Sequence, residues 1–402
     1  MSVSSKQFRI SGRAKRVAPF QAMEFAKHAD ALEASGVHVT RLNIGEPDFG
    51  APPAFLDAIV DLADGRPMTY TPSVGIAELR TAIAQSYRTL DDLEIDPRRV
   101  CVTAGASAAL LLCAAALIDP GDRVLVADPS YPCNRQFAES FGADVALVPT
   151  SAATRFQLDA ASVAEAWDEH TRGVMLASPS NPTGTSLSTT ELAAICEFVV
   201  GRDGWRIVDE IYLGLTHDDD GARSVLALDD DAIVVNSFSK VFGLTGWRLG
   251  WCVVPEALVP VMEKLAQNYY ICPSTPTQYA ALTCFQPETL AIATERRRQI
   301  VARKEIVLQE LSEMGLDVPV APDGAFYVYV DIAATGMTSW EFCEKALEQA
   351  LVALTPGHDF GNHRADDFVR LSYAIGTADL VAGLKRLAVF VRDQPRSPAP
   401  TS

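Results

Sequence analysis

Between about residue 100 and residue 255, short β-branched runs alternate with helical patterns, and this constrains the fold more than anything else in the chain. Parallel strands need crossover segments, usually helices, so the alternation predicts an α/β domain with a mostly parallel central sheet covered by helices. Strands are expected at 99–103, 123–127, 173–177, 206–208, 232–236 and 247–254. A helix is expected over 106–118, stopped by Pro120-Gly121.

The last third reads differently, with helices at 301–314, 339–349 and from 379, and strands at 325–331 and 369–373. This is the pattern of a smaller α+β domain. A helix near 21–35 precedes the sheet domain and needs a partner for its apolar face, so it is expected to join the smaller domain. The expected division is 1–45 as part of the small domain, 46–295 as the large domain, 296–393 as the small C-terminal domain, and 394–402 as a disordered, proline-rich tail.

With 402 residues, 48% apolar and 21% charged, the chain can bury a sizeable core and is neither disordered nor fibrous. The net charge of −17 repels phosphodiester backbones and argues against nucleic acid as a partner. The longest uncharged stretch, 101–118, opens on Thr103, Gly105 and Ser107, leaving too short an apolar helix to cross a membrane. The basic start (Lys6, Arg9, Arg13, Lys15, Arg16) has no apolar run behind it, so a cytoplasmic location is expected. Eight scattered cysteines without a C-x-x-C pair read as buried free thiols. No metal site is expected: the histidines lack H-x-x-x-H spacing, and Asp218-Asp219-Asp220 and Asp229-Asp230-Asp231 read as solvated turns.

Ligands of open parallel sheets bind beyond the carboxyl ends of the strands. Here those ends carry Gly105-Ala106-Ser107, Asp128-Pro129-Ser130-Tyr131, Ser178 to Gly184, Asp209-Glu210-Ile211-Tyr212 and Ser237-Phe238-Ser239-Lys240. One rim thus collects a helix start suited to phosphate, an aromatic ring, an amide, a carboxylate and an amine. That set fits an anionic, aromatic, nitrogen-containing aldehyde: pyridoxal 5′-phosphate (PLP). An amine can condense with its carbonyl, and a carboxylate can keep its ring nitrogen protonated.

At these residues the chain resembles the class I and II aminotransferases of the fold type I PLP-dependent enzymes. The resemblance runs from about Arg41 to Tyr373. It is carried by Gly45-Glu46-Pro47-Asp48-Phe49, Tyr70-Thr71-Pro72-Ser73-Val74-Gly75, Asn181-Pro182-Thr183-Gly184, Asp209-Glu210-Ile211-Tyr212, Ser237-Phe238-Ser239-Lys240 with Gly246-Trp247-Arg248-Leu249-Gly250, and Arg370-Leu371-Ser372-Tyr373.

The resemblance implies roles. Lys240 would be the Schiff-base lysine and proton carrier, against the alternative of a surface lysine. Asp209 would pair with the pyridinium nitrogen, against that of a helix cap. Tyr212 and Asn181 would bond the cofactor's phenolic oxygen, although N-P-T-G alone reads equally as a turn. Ser237, Arg248, Tyr70 and the helix start at Gly105, Ala106 and Ser107 would hold the phosphate. Tyr70 would reach the phosphate of a neighbouring subunit, implying a homodimer with shared active sites; a buried structural tyrosine is the competing reading. Tyr131 stands where the family stacks an aromatic ring, often Trp, and a core aromatic is its alternative. Arg370 would clamp the substrate α-carboxylate with the backbone of Gly45, against a solvated strand arginine. Since Gly45 and Arg370 both lie outside the central sheet, closure of the small domain on substrate follows as an expectation.

The expected activity is amino transfer between an L-amino acid and a 2-oxo acid by a ping-pong mechanism. The alternatives are a PLP-dependent carbon–sulfur β-lyase and a PLP-binding regulatory protein without turnover. Some aspartate-specific relatives carry a lysine where Ser107 stands, so its absence argues for a neutral or aromatic side chain, with Phe20, Tyr70 and Phe326 as pocket lining.

Overall fold

The computed structural model describes residues 8–17, 21–218 and 223–394. A two-residue strand, β1 (Thr40–Arg41), precedes the strands of the large sheet: β2 (Val100–Thr103), β3 (Arg123–Asp128), β4 (Asp144–Pro149), β5 (Thr171–Ala177), β6 (Trp205–Asp209), β7 (Ile233–Ser237) and β8 (Gly250–Val253). Four more follow: β9 (Tyr327–Asp331), β10 (Val352–Ala353), β11 (Thr355–Pro356) and β12 (Phe368–Ser372).

The large sheet runs β2-β8-β7-β6-β5-β3-β4. All its pairings are parallel except those of β8, which is antiparallel to β2 and β7. Six carboxyl ends therefore share one rim with the amino end of β8. Alternate residues point to opposite faces, as a pleated strand requires. Leu125, Val174, Val208 and Val234 enter one apolar cluster, and Val126, Met175, Ile207 and Val235 enter the other.

Three features depart from the sequence reading. Strand β4 was not expected; it lies at the sheet edge, where partial burial weakens its apolar signal. The strand expected over 247–254 begins only at Gly250, because Arg248 takes a left-handed φ of 52° in the turn before it. Asp229 and Asp230 are not merely solvated: Asp229 pairs with Arg206, and Asp230 with Arg99. Of the other acidic cluster, Asp219 and Asp220 lie outside the described residues, as do the tail beyond Gln394 and Phe20.

In the smaller lobe β11-β12-β9 form an antiparallel sheet, and β1 pairs in parallel with β10. The helix Gln21–Ala34 joins this lobe, its Phe25 and Ala29 entering the same apolar cluster as Val330, Phe342 and Leu384. The helix Pro287–Met314 crosses the expected boundary at 295/296: Leu290 and Ala293 pack on the sheet domain, while Ile300, Val307 and Leu311 pack in the smaller lobe. Gly315 ends it at φ 71°, a conformation glycine adopts without a side-chain clash.

Candidate active site

The rim of the large sheet and the facing edge of the smaller lobe enclose a cavity of about 390 Å³. Asp209 enters it from the end of β6 and Ser237 from the end of β7. Lys240 follows β7 by three residues, and Arg248 reaches the same rim because β8 is antiparallel.

Lys240 donates from Nζ to the Gly45 carbonyl oxygen at 2.6 Å. Burial pushes its ammonium down to about 8, against the pull of Glu46 in the opposite direction. Burial likewise pushes the Asp209 carboxyl up to about 6, although the Ile211 N–H donates to its Oδ1 at 3.1 Å. A reactive amine and a carboxylate thus face one cavity, both destabilised in their charged forms and both suited to a partner that the protein itself does not provide.

The helix Ala106–Leu117 opens on this rim with Gly105 as its cap residue and no side-chain cap. Its first N–H groups remain available to an anion, and Arg248 lies beside them. Gly105 has a φ of 87°, and a Cβ there would lie 2.6 Å from Arg248 Nη2. Ser237 Oγ is 2.8 Å from Ser239 Oγ and 3.1 Å from the Leu249 carbonyl oxygen.

At the other end Arg370 is buried, donating from Nη1 to Asn181 Oδ1 at 2.9 Å and from Nη2 to the Asn43 carbonyl oxygen at 2.6 Å. Its Nε has no hydrogen-bond partner among the described residues. The Tyr212 hydroxyl lies 2.7 Å from that of Tyr327, and the Tyr327 ring packs 4.6 Å from Arg370 Cζ. Burial raises the Tyr212 and Tyr131 phenols well above their ordinary range, so both stay protonated as donors.

Of the residues singled out by sequence, Gly45, Ala106, Ser107, Tyr131, Asn181, Asp209, Tyr212, Ser237, Lys240, Arg248 and Arg370 line this cavity. Gly105 stands behind Arg248. Tyr70 does not line the cavity of its own chain: it is 79% exposed. Phe326, expected as lining, is buried in the core of the smaller lobe, and its neighbour Tyr327 faces the cavity instead. Sequence reading also missed Met23, Asn43, Ile44 and Ser239. Only Ser239, inside the S-F-S-K motif, carried a signal that could have exposed it.

An amine, a carboxylate and an anion cradle on one sheet rim define a cofactor-dependent enzyme acting on carbonyl and amino groups. The family model described as aminotransferase class I and II matches residues 37–386. The valine–pyruvate aminotransferase of Mycobacterium tuberculosis is 37% identical, over 94% of this chain and 97% of that protein. The aspartate aminotransferase of Pyrococcus abyssi is 35% identical, over 89% and 92%. A crystal structure of an aminotransferase from M. tuberculosis superposes with a TM-score of 0.93 at 37% identity, covering 96% of this chain and all of that one. The chain belongs to the class I and II aminotransferase family and is a PLP-dependent aminotransferase, acting on amino acids and 2-oxo acids.

The residues present fit the cofactor. The uncapped helix start and Arg248 suit its phosphate, buried Asp209 suits a protonated ring nitrogen, and Lys240 suits its aldehyde. Among the described residues no helix is long and apolar enough to cross a membrane, and no three His, Cys, Asp or Glu side chains gather as metal ligands.

Proposed function

We propose that this aminotransferase moves the amino group of a neutral L-amino acid to a 2-oxo acid in two half-reactions, with Lys240 holding PLP between turnovers. When bound, the cofactor supplies an electron sink for the electron pair left at the substrate Cα. Asp209 holds the proton on the ring nitrogen. The N–H groups of Ala106 and Ser107, the Ser237 hydroxyl and the Arg248 guanidinium bind the phosphate. Tyr212 and Asn181 would bond the phenolic oxygen, and the Tyr131 ring would offer the cofactor an aromatic surface. Lys240, its pKa lowered to about 8 by burial, would take up and return the proton at the substrate Cα.

One observation carries this reading: Arg370, buried and short of a partner at Nε, faces the same cavity as Lys240. A substrate α-carboxylate fits that cation, and with the Gly45 backbone on the same group the Cα–H bond is turned toward Lys240. Among the described lining residues of one protomer the cations are Lys240, Arg248 and Arg370, so the chain itself offers none of these to a second carboxylate. Met23, Ile44 and Leu110 supply apolar surface instead. The relatives named for valine–pyruvate and for aspartate do not by themselves choose between these substrates. A panel of amino acids in half-reactions, followed by loss of the cofactor's visible band, tests the reading: neutral side chains should react faster than aspartate.

The active unit in this reading is a homodimer. Tyr70, Leu56, Val60, Met68 and Tyr279 are all exposed, and the helices Pro53–Leu62 and Thr275–Ala281 that carry Leu56, Val60 and Tyr279 pack together, an apolar surface that a second copy would cover. Thr275 Oγ1, donating to the Thr69 carbonyl oxygen at 2.8 Å, holds the Tyr70 segment there. From the partner, Tyr70 would complete the phosphate site. We further place the domain division at 45/46 and 295/296, with the small domain closing on substrate. The enzyme is placed in the cytoplasm, which its eight unpaired thiols support.

A further inference from the structure

Asp128 ends β3 on the catalytic rim, yet it does not line the cavity and no step above uses it. Its side chain is buried, and its carboxylate points across to the smaller lobe. The Asn362 N–H lies 3.1 Å from Oδ1 and 3.0 Å from Oδ2, and the His363 N–H donates to Oδ2 at 3.0 Å. Two residues on, the Ser130 N–H donates to the Phe360 carbonyl oxygen at 2.8 Å. A Cβ on Gly361 would fall 1.7 Å from Asp128 Oδ1, so the loop reaches this carboxylate only because residue 361 is glycine.

The loop held in this way carries the Phe360 ring, which lies 4.9 Å from Arg370 Cζ. Phe360 and Tyr327 together pack the guanidinium. A carboxylate bonded to successive backbone N–H groups makes a charge-assisted, directional tie. This one joins the large sheet to the smaller lobe directly behind the cation.

We propose that Asp128 is a positioning residue for the α-carboxylate site, acting through residues 360–363 and the Phe360 ring on Arg370. The proposal rests on the reading of Arg370 as the carboxylate clamp. A guanidinium that can tilt loses the fixed geometry a two-point clamp requires, so substrate binding suffers before cofactor binding does.

The test uses the holoenzyme with Asp128→Asn, Asp128→Glu and Gly361→Ala. Asp128→Asn keeps the shape but turns an amide toward one of the N–H donors, and Gly361→Ala pushes the loop away from an intact Asp128. Both should raise the KM for α-amino acids about tenfold, with kcat within about threefold and the visible band of bound PLP unchanged. Asp128→Glu, which keeps the charge, should fall between them and the parent. In an Arg370→Leu background Asp128→Asn should cost nothing further, because the clamp is already gone. An unchanged KM in both Asp128→Asn and Gly361→Ala, or full additivity with Arg370→Leu, would overturn this inference alone. Loss of the cofactor band in all three variants would overturn it too, by showing that Asp128 supports the whole fold. An unchanged KM in Arg370→Leu itself would remove the carboxylate reading and this inference together.

Discussion

Arg303 on the helix Pro287–Met314 pairs both terminal nitrogens with the Asp48 carboxylate, Nη1 to Oδ1 at 2.8 Å and Nη2 to Oδ2 at 2.9 Å. The pair fixes the Gly45–Phe49 motif against the helix that joins the two lobes. Gly45 in turn presents its carbonyl to Lys240. Asp48→Ala would leave Arg303, whose side chain is only 5% exposed, without its counter-ion. Removing one partner of such a pair costs about 3 kcal/mol, read as a lower denaturant midpoint; an unchanged midpoint would show that the pair is idle.

Gly105→Ala should weaken cofactor binding more than it weakens folding. The new methyl group would crowd Arg248 and strain a backbone held at φ 87°. Equilibrium dialysis should give a PLP affinity reduced by about thirtyfold, for a loss near 2 kcal/mol. Parent-like affinity in the variant would place the phosphate elsewhere.

The two buried charges predict an unusual pH profile for the cofactor-free protein. The Asp209 pKa is raised from 3.8 to about 6, so its contribution to stability is full below pH 4 and is lost as pH rises through 6. The Lys240 pKa is lowered from 10.5 to about 8, so its contribution is full above pH 10.5 and is lost as pH falls through 8. At pH 7 both groups are charged at a cost. Asp209→Asn should therefore stabilise the cofactor-free protein at pH 7 by about 2 kcal/mol, with no gain at pH 4. Thermal melts at the two pH values give the comparison, and equal shifts at both would contradict it. The same variant should lose most of its turnover.

Much of this site was legible in the sequence because chemistry sits at strand ends, and strand ends are marked by abrupt changes from apolar to polar residues. Ser237 and Lys240 needed only the end of the 232–236 run and the motif beyond it. What the sequence could not supply was direction and phase. Nothing in W-R-L-G-W-C-V-V says that β8 runs against its neighbours, although that reversal is what brings Arg248 to the rim. Phe326 and Tyr327 are adjacent aromatics whose rings lie 4.8 Å apart and both pack edge-on against Tyr212, so nothing in the sequence says that the cavity takes the second. Asp128 stood in the sequence only as the start of the strand-end run Asp128-Pro129-Ser130-Tyr131, and its partners, the Asn362 and His363 N–H groups, come from more than two hundred residues away.

Arg370→Leu should raise the KM for every α-amino acid by roughly a hundredfold or more, the expected scale for losing a two-point carboxylate clamp. Steady-state kinetics with several amino acids would show it. A variant whose KM matches the parent would take Arg370 out of the substrate site.

The account depends most on Lys240 as the amine that holds the cofactor. Reduction of the holoenzyme with borohydride, followed by proteolysis and mass spectrometry, reads that bond directly. The cofactor's mass should be found on the peptide bearing Lys240, and Lys240→Ala should lose both the adduct and the visible band. An adduct on another lysine, with Lys240 unmodified, would contradict the account.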